Sequence, residues 1–431
     1  MDELGNILIA GTGPVAVQSA VLLAQLPGEL GIAGRDSTRA AEFFTSVEHH
    51  GKHVQAQVQN PAHGALAGQA RLAHRYLGYH RVRPDWDTLV MAVPADAYLP
   101  VLRALPEETL SAMKRIVLLS PTLGSAKLVG EYARRRAAHP EVISCSSYLG
   151  DSRQIAGTSG IKVLTAGVKK RIYLGSTRTQ SPAAARLAAV LEAAGTAVQA
   201  ASTPVEAEAR NMSLYVHPAL FMNELALQAV FSPGPVPKYV YKLYPEGPVA
   251  PALIHTMAQA WRELNAVTGA LGGQGVNLLQ FMLEDGYPVR PESITPQAVA
   301  NFDKLPAAEQ EYLLYVRYAS LLIDPYSQPD EHGRYFDFSA IAFRPIFIND
   351  QGQWDIPRMP KEDYYRTKII QGLARKHAVP CPMIDQLLEN YERALEDAAR
   401  QLEPQPCSPQ FRVEDFTEHV DMIGSPSRSA A

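Results

Sequence analysis

Residues able to do chemistry appear close to the start of the chain. Gly11-Thr12-Gly13-Pro14-Val15-Ala16 has the spacing Gly-x-Gly-x-x-Ala and directly follows the apolar run from Asn6 to Ala10. Gly11 permits a tight turn, Gly13 lets backbone approach a pyrophosphate, and Ala16 lets a helix pack closely on a strand. A helix starting here offers its first amides and the positive end of its dipole to a phosphate. Pro14 suits the first turn, where its missing N–H would be unpaired in any case. The spacing predicts a dinucleotide cradle made by Gly11, Thr12, Gly13, Pro14 and Val15. A glycine-rich turn without a ligand is the plain alternative.

The next strand, Gly31–Gly34, runs into Arg35, Asp36, Ser37, Thr38 and Arg39. An acid at its end would accept from a ribose 2′-hydroxyl, whereas a guanidinium, two hydroxyls and a second cation suit a 2′-phosphate. Arg35, Ser37 and Arg39 are therefore expected at the phosphate of NADPH, with NADH as the weaker alternative. Asp36 keeps a ribose contact open, and solvated turn arginines remain the ordinary reading. Ala92–Asp96, including Pro94, and Ser120–Ser125 each end a strand at the expected ligand crevice. Pro94 is the candidate there for a nicotinamide or ribose contact.

Three further segments carry polar groups. Asp151 and Arg153 lie in Ser147–Arg153, expected to be a loop over the same sheet edge; a turn-stabilising aspartate is the more common role. Arg210-Asn-Met-Ser-Leu-Tyr215-Val-His217-Pro218 opens an apolar stretch. Histidine titrates near neutrality and so is the natural proton donor to a carbonyl or imine, although a core or capping histidine is more common. Tyr239–Pro248 concentrates aromatic and turn residues around Lys242, which suits a pocket lining and a carboxylate contact. Signatures of a nucleophile elbow, a Walker loop, a zinc protease or a paired-cysteine metal site are missing.

These residues need elements to position them. Thr88–Val93, Arg115–Ser120 and Glu141–Ser146 are continuous apolar runs, the pattern of strands covered on both faces. Helical stretches at Tyr98–Leu105 and Glu107–Lys114 alternate with them, as expected of a parallel sheet wound on both sides. Val163–Ala166 and Arg171–Gly175 look like a hairpin around Gly167–Lys170, followed by a helix Pro182–Ala194 and a strand Ala197–Ala200. Beyond Thr203-Pro204 the strand signal fades into helical segments at Glu206–Val230, Ala250–Leu271 and Glu309–Leu322. The expected fold is α/β, a Rossmann-type doubly wound parallel sheet followed by a mostly α-helical domain. Its expected parts are 1–203 for NADP, 204–402 for substrate and dimerisation, and 403–431 as a tail.

The 431 residues exceed one ordinary core, and 46% hydrophobic with 19% charged residues is a globular composition. A net charge of -4 gives no basic footprint for nucleic acid or an anionic membrane. Cys145, Cys381 and Cys407 are too few and too scattered for a disulfide framework. With no membrane-length run and no signal-like start, a cytoplasmic protein is expected.

Longer stretches carry a resemblance. Ile9–Ala16, Ser147–Asp151, Gly167–Lys170, Arg210–Pro218, Tyr239–Pro248, Asn277–Met282, Tyr287–Glu292, Glu311–Tyr318, Asp324–Glu331 and Tyr335–Ala340 together resemble the opine metallophore dehydrogenases, the family of staphylopine and pseudopaline dehydrogenases. The resemblance implies NADPH-dependent reductive condensation of a histidine-aminobutyrate amine with a 2-oxo acid, pyruvate or 2-oxoglutarate. The product it implies is a nicotianamine-like chelator, so metal belongs to the product and none is expected in the enzyme. It further implies His217 and Asp151 as the acid–base and substrate-orienting pair and Arg35 as a 2′-phosphate contact. Arg153, Arg210, Tyr215 and Lys242 are the candidates for substrate binding, and a homodimer fits the family. The competing readings are an NADP-dependent 2-oxo or 3-oxo acid reductase without an amine partner, and a non-catalytic NADP-sensing protein.

Overall fold

The computed structural model describes residues 4–284, 291–320 and 341–425. The motifs at 287–290, 324–331 and 335–340 lie outside these residues. Two compact units are present, one running to Asn211 and rejoined by the chain from Asp421, the other Met212–Val420.

Among the described residues the first unit contains twelve strands: β1 (Ile7–Ala10), β2 (Leu30–Gly34), β3 (His53–Val58), β4 (Gly68–Arg71), β5 (His74–Leu77), β6 (Thr88–Met91), β7 (Arg115–Leu118), β8 (Glu141–Cys145), β9 (Gly150–Gln154), β10 (Lys162–Val168), β11 (Arg171–Ser176) and β12 (Ala197–Ala200). Its helices are α1 (Pro14–Leu23), α2 (Thr38–His49), α3 (Tyr98–Ala104), α4 (Glu107–Ala112), α5 (Ser125–Arg134), α6 (Pro182–Ala193) and α7 (Pro204–Ala209). Eight strands form one sheet in the order β12-β11-β8-β7-β6-β1-β2-β5, parallel except where β11 meets β8. From β1 the chain steps outward through β2 and β5, then returns to β6 on the other side. The carboxyl end of β1 is thus a topological switch point, where such sheets bind ligands. The parallel-dominated sheet followed by a helical region is the fold class expected from sequence.

Two expectations about these strands fail. β10 and β11 do not form a hairpin: β10 pairs with β3 and β9 in a separate four-stranded sheet, β4-β3-β10-β9, while β11 joins the large one. The Lys169-Lys170 link lacks the glycine or asparagine that a two-residue hairpin turn favours, so each strand follows its own sheet. Asp151 and Arg153 accordingly lie on strand β9, not on a loop.

The four-stranded sheet covers α1, which touches strands of both sheets. Helix α1 is therefore buried nearly all round, and even Gln18 is fully buried. Gln18 Nε2 donates to the Leu66 carbonyl at 2.9 Å, and its Oε1 accepts from Thr165 Oγ1 at 2.6 Å. Thr165 contacts Ser152, which contacts the Tyr148 hydroxyl, each at 2.7 Å. This chain of satisfied polar groups fixes β9 and β10 to the helix that follows the glycine turn, since leaving any member unpaired in the core would cost stability.

Glu208 of α7 is a second buried polar hub. Its carboxylate accepts from the Gly124 and Ala126 amides at 2.8 and 2.7 Å and from Ser144 Oγ at 2.9 Å. Burial pushes its carboxyl up from 4.5 to about 7, against the opposing pull of those donors. A raised folded value means the stability from this group is complete below about pH 4.5 and is lost as the pH rises through about 7. Between about pH 5 and pH 8, the wild type should lose on the order of 2 kcal/mol more than Glu208→Gln, whose amide does not titrate. Urea unfolding followed by circular dichroism at the two pH values checks this. Equal slopes in the two proteins would remove Glu208 as the cause.

The second unit is mostly helical, with α8 (Met212–Phe221), α9 (Glu224–Phe231), α10 (Pro251–Ala270), α11 (Leu278–Glu284), α12 (Pro296–Ala300), α13 (Ala307–Ala319), α14 (Arg358–Lys376) and α15 (Pro382–Leu402), and a short antiparallel pair joins Phe347–Ile348 to Trp354–Asp355. A last helix, α16 (Thr417–Ile423), ends the described chain. The expected single helix Glu206–Val230 is instead three, α7 to α9. Polar side chains mark both breaks: Asn211 Nδ2 donates to the Pro121 carbonyl, and Asn223 caps α9 by accepting from the Ala226 amide. Helix α8 packs against α10 and α14, and α14 against α15. Among the described residues no helix is long and apolar enough to cross a membrane.

Candidate active site

Helix α1 begins at Gly13, whose backbone is extended and which has no side-chain capping bond, so the first amides are not consumed by a cap. Gly11 has φ 121°, and a Cβ there would lie 2.7 Å from the Ala92 carbonyl oxygen at the end of β6. A Cβ on Gly13 would meet nothing within 4 Å. Gly11 is thus required by the chain's own packing, whereas the space over Gly13 is open to a ligand. The turn is tied to its neighbours by the Gly11 amide on the Ala33 carbonyl (2.8 Å) and the Ala92 amide on the Ala10 carbonyl (3.0 Å). Ala16 is fully buried. These features fit a dinucleotide pyrophosphate.

The neighbouring strand ends complete this edge. Gly34 closes β2 with Thr12 packed against it, so that a Cβ would fall 2.7 Å from Thr12 Cγ2. Arg35 and Arg39 are exposed, and Ser37 accepts from the Ala40 amide at 3.3 Å as the cap of α2. The Ser37 hydroxyl can still donate its own hydrogen. The Gly78 amide bonds the Gly34 carbonyl at 2.8 Å, which sets Tyr79 beside this turn. Burial pushes the Tyr79 phenol up to about 12, with the Arg35 cation pulling the other way. Pro94 follows β6 on the same edge of the sheet. The residues Gly11 to Val15, Arg35, Ser37, Arg39 and Pro94 therefore share the carboxyl ends of the adjacent strands β1, β2 and β6.

The remaining candidates are more dispersed. Asp151 and Arg153 are exposed and pair with each other at 2.5 Å across one residue of β9. The Arg210 guanidinium lies 5.6 Å from the centre of the Tyr173 ring. In the helical unit Tyr215 is 1% exposed, with its ring edge-on to Phe281 at 6.2 Å, inside the core of that unit. Lys242 stands 3.8 Å from Glu246.

His217 has a partner that sequence reading missed. Its Nδ1 lies 3.2 Å from Oδ1 of Asp363, a side chain with no exposure, while the imidazole keeps 17%. Phe221, one turn along α8, packs on the ring at 5.1 Å. With Nδ1–H donating to the carboxylate, Nε2 becomes the atom that can hold or release a proton. The available signal was Glu362-Asp363…Arg366 within a helical segment: two acids and a base one turn apart, in a pattern buried on most faces. Nothing in the linear sequence linked that segment to a histidine 146 positions earlier.

Comparison with known proteins agrees with this organisation. The family model described as staphylopine dehydrogenase matches residues 5–426. Staphylopine synthase of Staphylococcus aureus strain Mu50 is 42% identical over 416 residues, covering 96% of both chains. Pseudopaline synthase of Pseudomonas aeruginosa strain UCBPP-PA14 is 40% identical over 398 residues, 91% of this chain and 90% of its own. Among solved structures, yersinopine dehydrogenase with NADP+ bound superposes with a TM-score of 0.91 at 30% identity, over 98% of each chain. An octopine dehydrogenase structure at 17% identity and TM-score 0.62 shares the fold. By the extent of these matches, the chain belongs to the staphylopine dehydrogenase family.

Proposed function

We propose that this chain condenses an amine built from histidine and an aminobutyrate unit with a 2-oxo acid and reduces the resulting imine with NADPH. The enzyme is an oxidoreductase of the opine dehydrogenase kind, and its product is a nicotianamine-like chelator. Family membership supplies the reaction class, supported by staphylopine, pseudopaline and yersinopine synthases as relatives. The observation that carries the chemistry is His217 held on buried Asp363.

NADPH, when bound, supplies the hydride. The cradle from Gly11 to Val15 offers backbone amides to its pyrophosphate, and Arg35, with Ser37 and Arg39, meets the 2′-phosphate. His217, as the imidazolium, protonates the departing carbonyl oxygen or the developing nitrogen, and Asp363 stabilises the imidazolium before it gives up that proton. Asp151 orients the substrate, and Arg153, Arg210 and Lys242 hold its carboxylates, while Tyr215 acts from within the core of the helical unit. Residues 1–203 bind the nucleotide and contribute Asp151 and Arg153 to the substrate, and residues 204–402 supply the rest of substrate binding, in a homodimer.

The test combines purified protein, NADPH, the histidine-aminobutyrate amine and either pyruvate or 2-oxoglutarate, with mass spectrometry of the product. NADPH oxidation is expected to require both substrates, and the product mass to equal amine plus 2-oxo acid minus one oxygen, since condensation loses one water and reduction adds two hydrogens. Oxidation with the 2-oxo acid alone would mark a simple oxo-acid reductase, and binding without turnover a sensor.

A further inference from the structure

A surplus of buried negative charge lies behind His217. Glu362, Asp363 and Arg366 share one turn of α14 and are 0%, 1% and 3% exposed. Two acids and one guanidinium leave one net negative charge where water screens poorly. The guanidinium is divided unequally between them. Arg366 Nη2 donates to Glu362 Oε1 at 2.5 Å, while Nη1 stops 3.8 Å from Asp363 Oδ1, beyond hydrogen-bond reach. Arg358 closes the other side of Glu362 at 2.5 Å from a side chain that is 61% exposed. Burial works against ionising Glu362, but Arg366 and Arg358 outweigh it and hold its carboxyl below the usual range.

Asp363 is differently placed. Its Oδ1 faces His217, and its Oδ2 has no hydrogen-bond partner among the described residues. Among the described residues Tyr391 of α15 also faces it, and burial pushes that phenol far above its ordinary range, so it stays neutral. The charges that the described residues place beside this pair are Glu362, Arg366 and Arg358 on α14 and the imidazole on α8.

We propose that Glu362 is a positioning residue for the proton-transfer step: by engaging Arg366 it keeps that guanidinium off Asp363 and reserves the Asp363 charge for His217. This inference rests on reading His217 as the proton donor. Arg366 is permanently charged and sits one turn from Asp363. Without the charge of Glu362 it becomes the competing counter-ion, and the neutralised cluster no longer favours an imidazolium. The device works through charge and not through shape, and this makes it separable from packing.

Charge counting provides the experiment. Glu362→Gln leaves the buried trio neutral, while Glu362→Gln combined with Arg366→Gln restores a single negative charge on Asp363. In the pH profile of kcat, the alkaline limb should move to lower pH by about one unit in the single variant and return in the double variant. A role confined to packing would leave the double variant worse than the single. Arg358→Gln, at a position that is 61% exposed, should move the limb the opposite way by a smaller amount. NADPH binding, followed by fluorescence, should match wild type in all three. An unmoved limb in Glu362→Gln and Arg358→Gln, or no return in a folded double variant, overturns the proposal. The His217 imidazole, followed by NMR in histidine-labelled protein and assigned by its loss in His217→Asn, should shift in step. That titration reads the electrostatics even if His217→Ala retains turnover, so failure of this inference and failure of the proton-donor reading are distinguishable.

Discussion

Replacing His217 by alanine is expected to lower kcat by a factor of about 10²–10⁴, the usual contribution of a positioned proton donor, with NADPH affinity unchanged. The cofactor candidates all belong to one unit and His217 to the other, so the substitution leaves every cofactor candidate in place. Alanine suits a helix, and α8 should persist. It does, however, strip buried Asp363 of its hydrogen-bond partner, and an uncompensated buried charge costs roughly 3–5 kcal/mol. His217→Gln is the necessary companion, since its amide can still donate to the carboxylate but cannot carry a proton to substrate. Both variants should lose turnover to a similar extent, with the glutamine form retaining more stability. Steady-state rates with saturating amine and 2-oxo acid, together with thermal melts, check this. Full turnover in the glutamine variant would end the catalytic assignment of His217.

Gly13→Val should abolish NADPH binding in a protein that still folds. The Gly13 backbone is extended, with φ -83° and ψ 178°, a conformation that valine adopts readily, and a Cβ there meets nothing within 4 Å. The new methyl groups instead fill the space that a pyrophosphate needs to reach the α1 amides. Loss of two charge-assisted hydrogen bonds at roughly 1.5–3 kcal/mol each weakens affinity by about 10²–10⁴-fold. The same experiment at Gly11 would be uninterpretable, because φ 121° and the Ala92 carbonyl oxygen at 2.7 Å make any side chain there a folding defect. Fluorescence titration with NADPH, paired with a melting curve, separates the two positions. Undiminished affinity in a folded Gly13→Val protein would mean the nucleotide is held elsewhere.

The sequence by itself determined the elements whose signals are local. β1, the glycine turn and α1 are legible because a fully buried strand reads as an unbroken apolar run and the turn needs residues without side chains. The same holds for β2, β6, β7 and β8, each within a few residues of its expected place. Arg35 after Gly34 could be read as a phosphate contact from residue type alone, and the long ordered motifs pointed to the family.

Tertiary structure decided what depends on partners distant in the chain. β3 and β4 alternate only weakly, and their burial comes from covering α1. The fate of β10 turned on which sheet could accept it, a choice that its own residues do not encode. Asp151 moved from an expected loop to a strand for the same reason. His217 was legible as a titratable residue, but a histidine acquires its chemical character from what faces it. Asp363, with Glu362 and Arg366 behind it, reaches α8 only through the packing of α14. Local hydrophobic periodicity fixes where a helix forms, while the charge a buried group experiences depends on neighbours that the folded chain alone brings within a few ångströms.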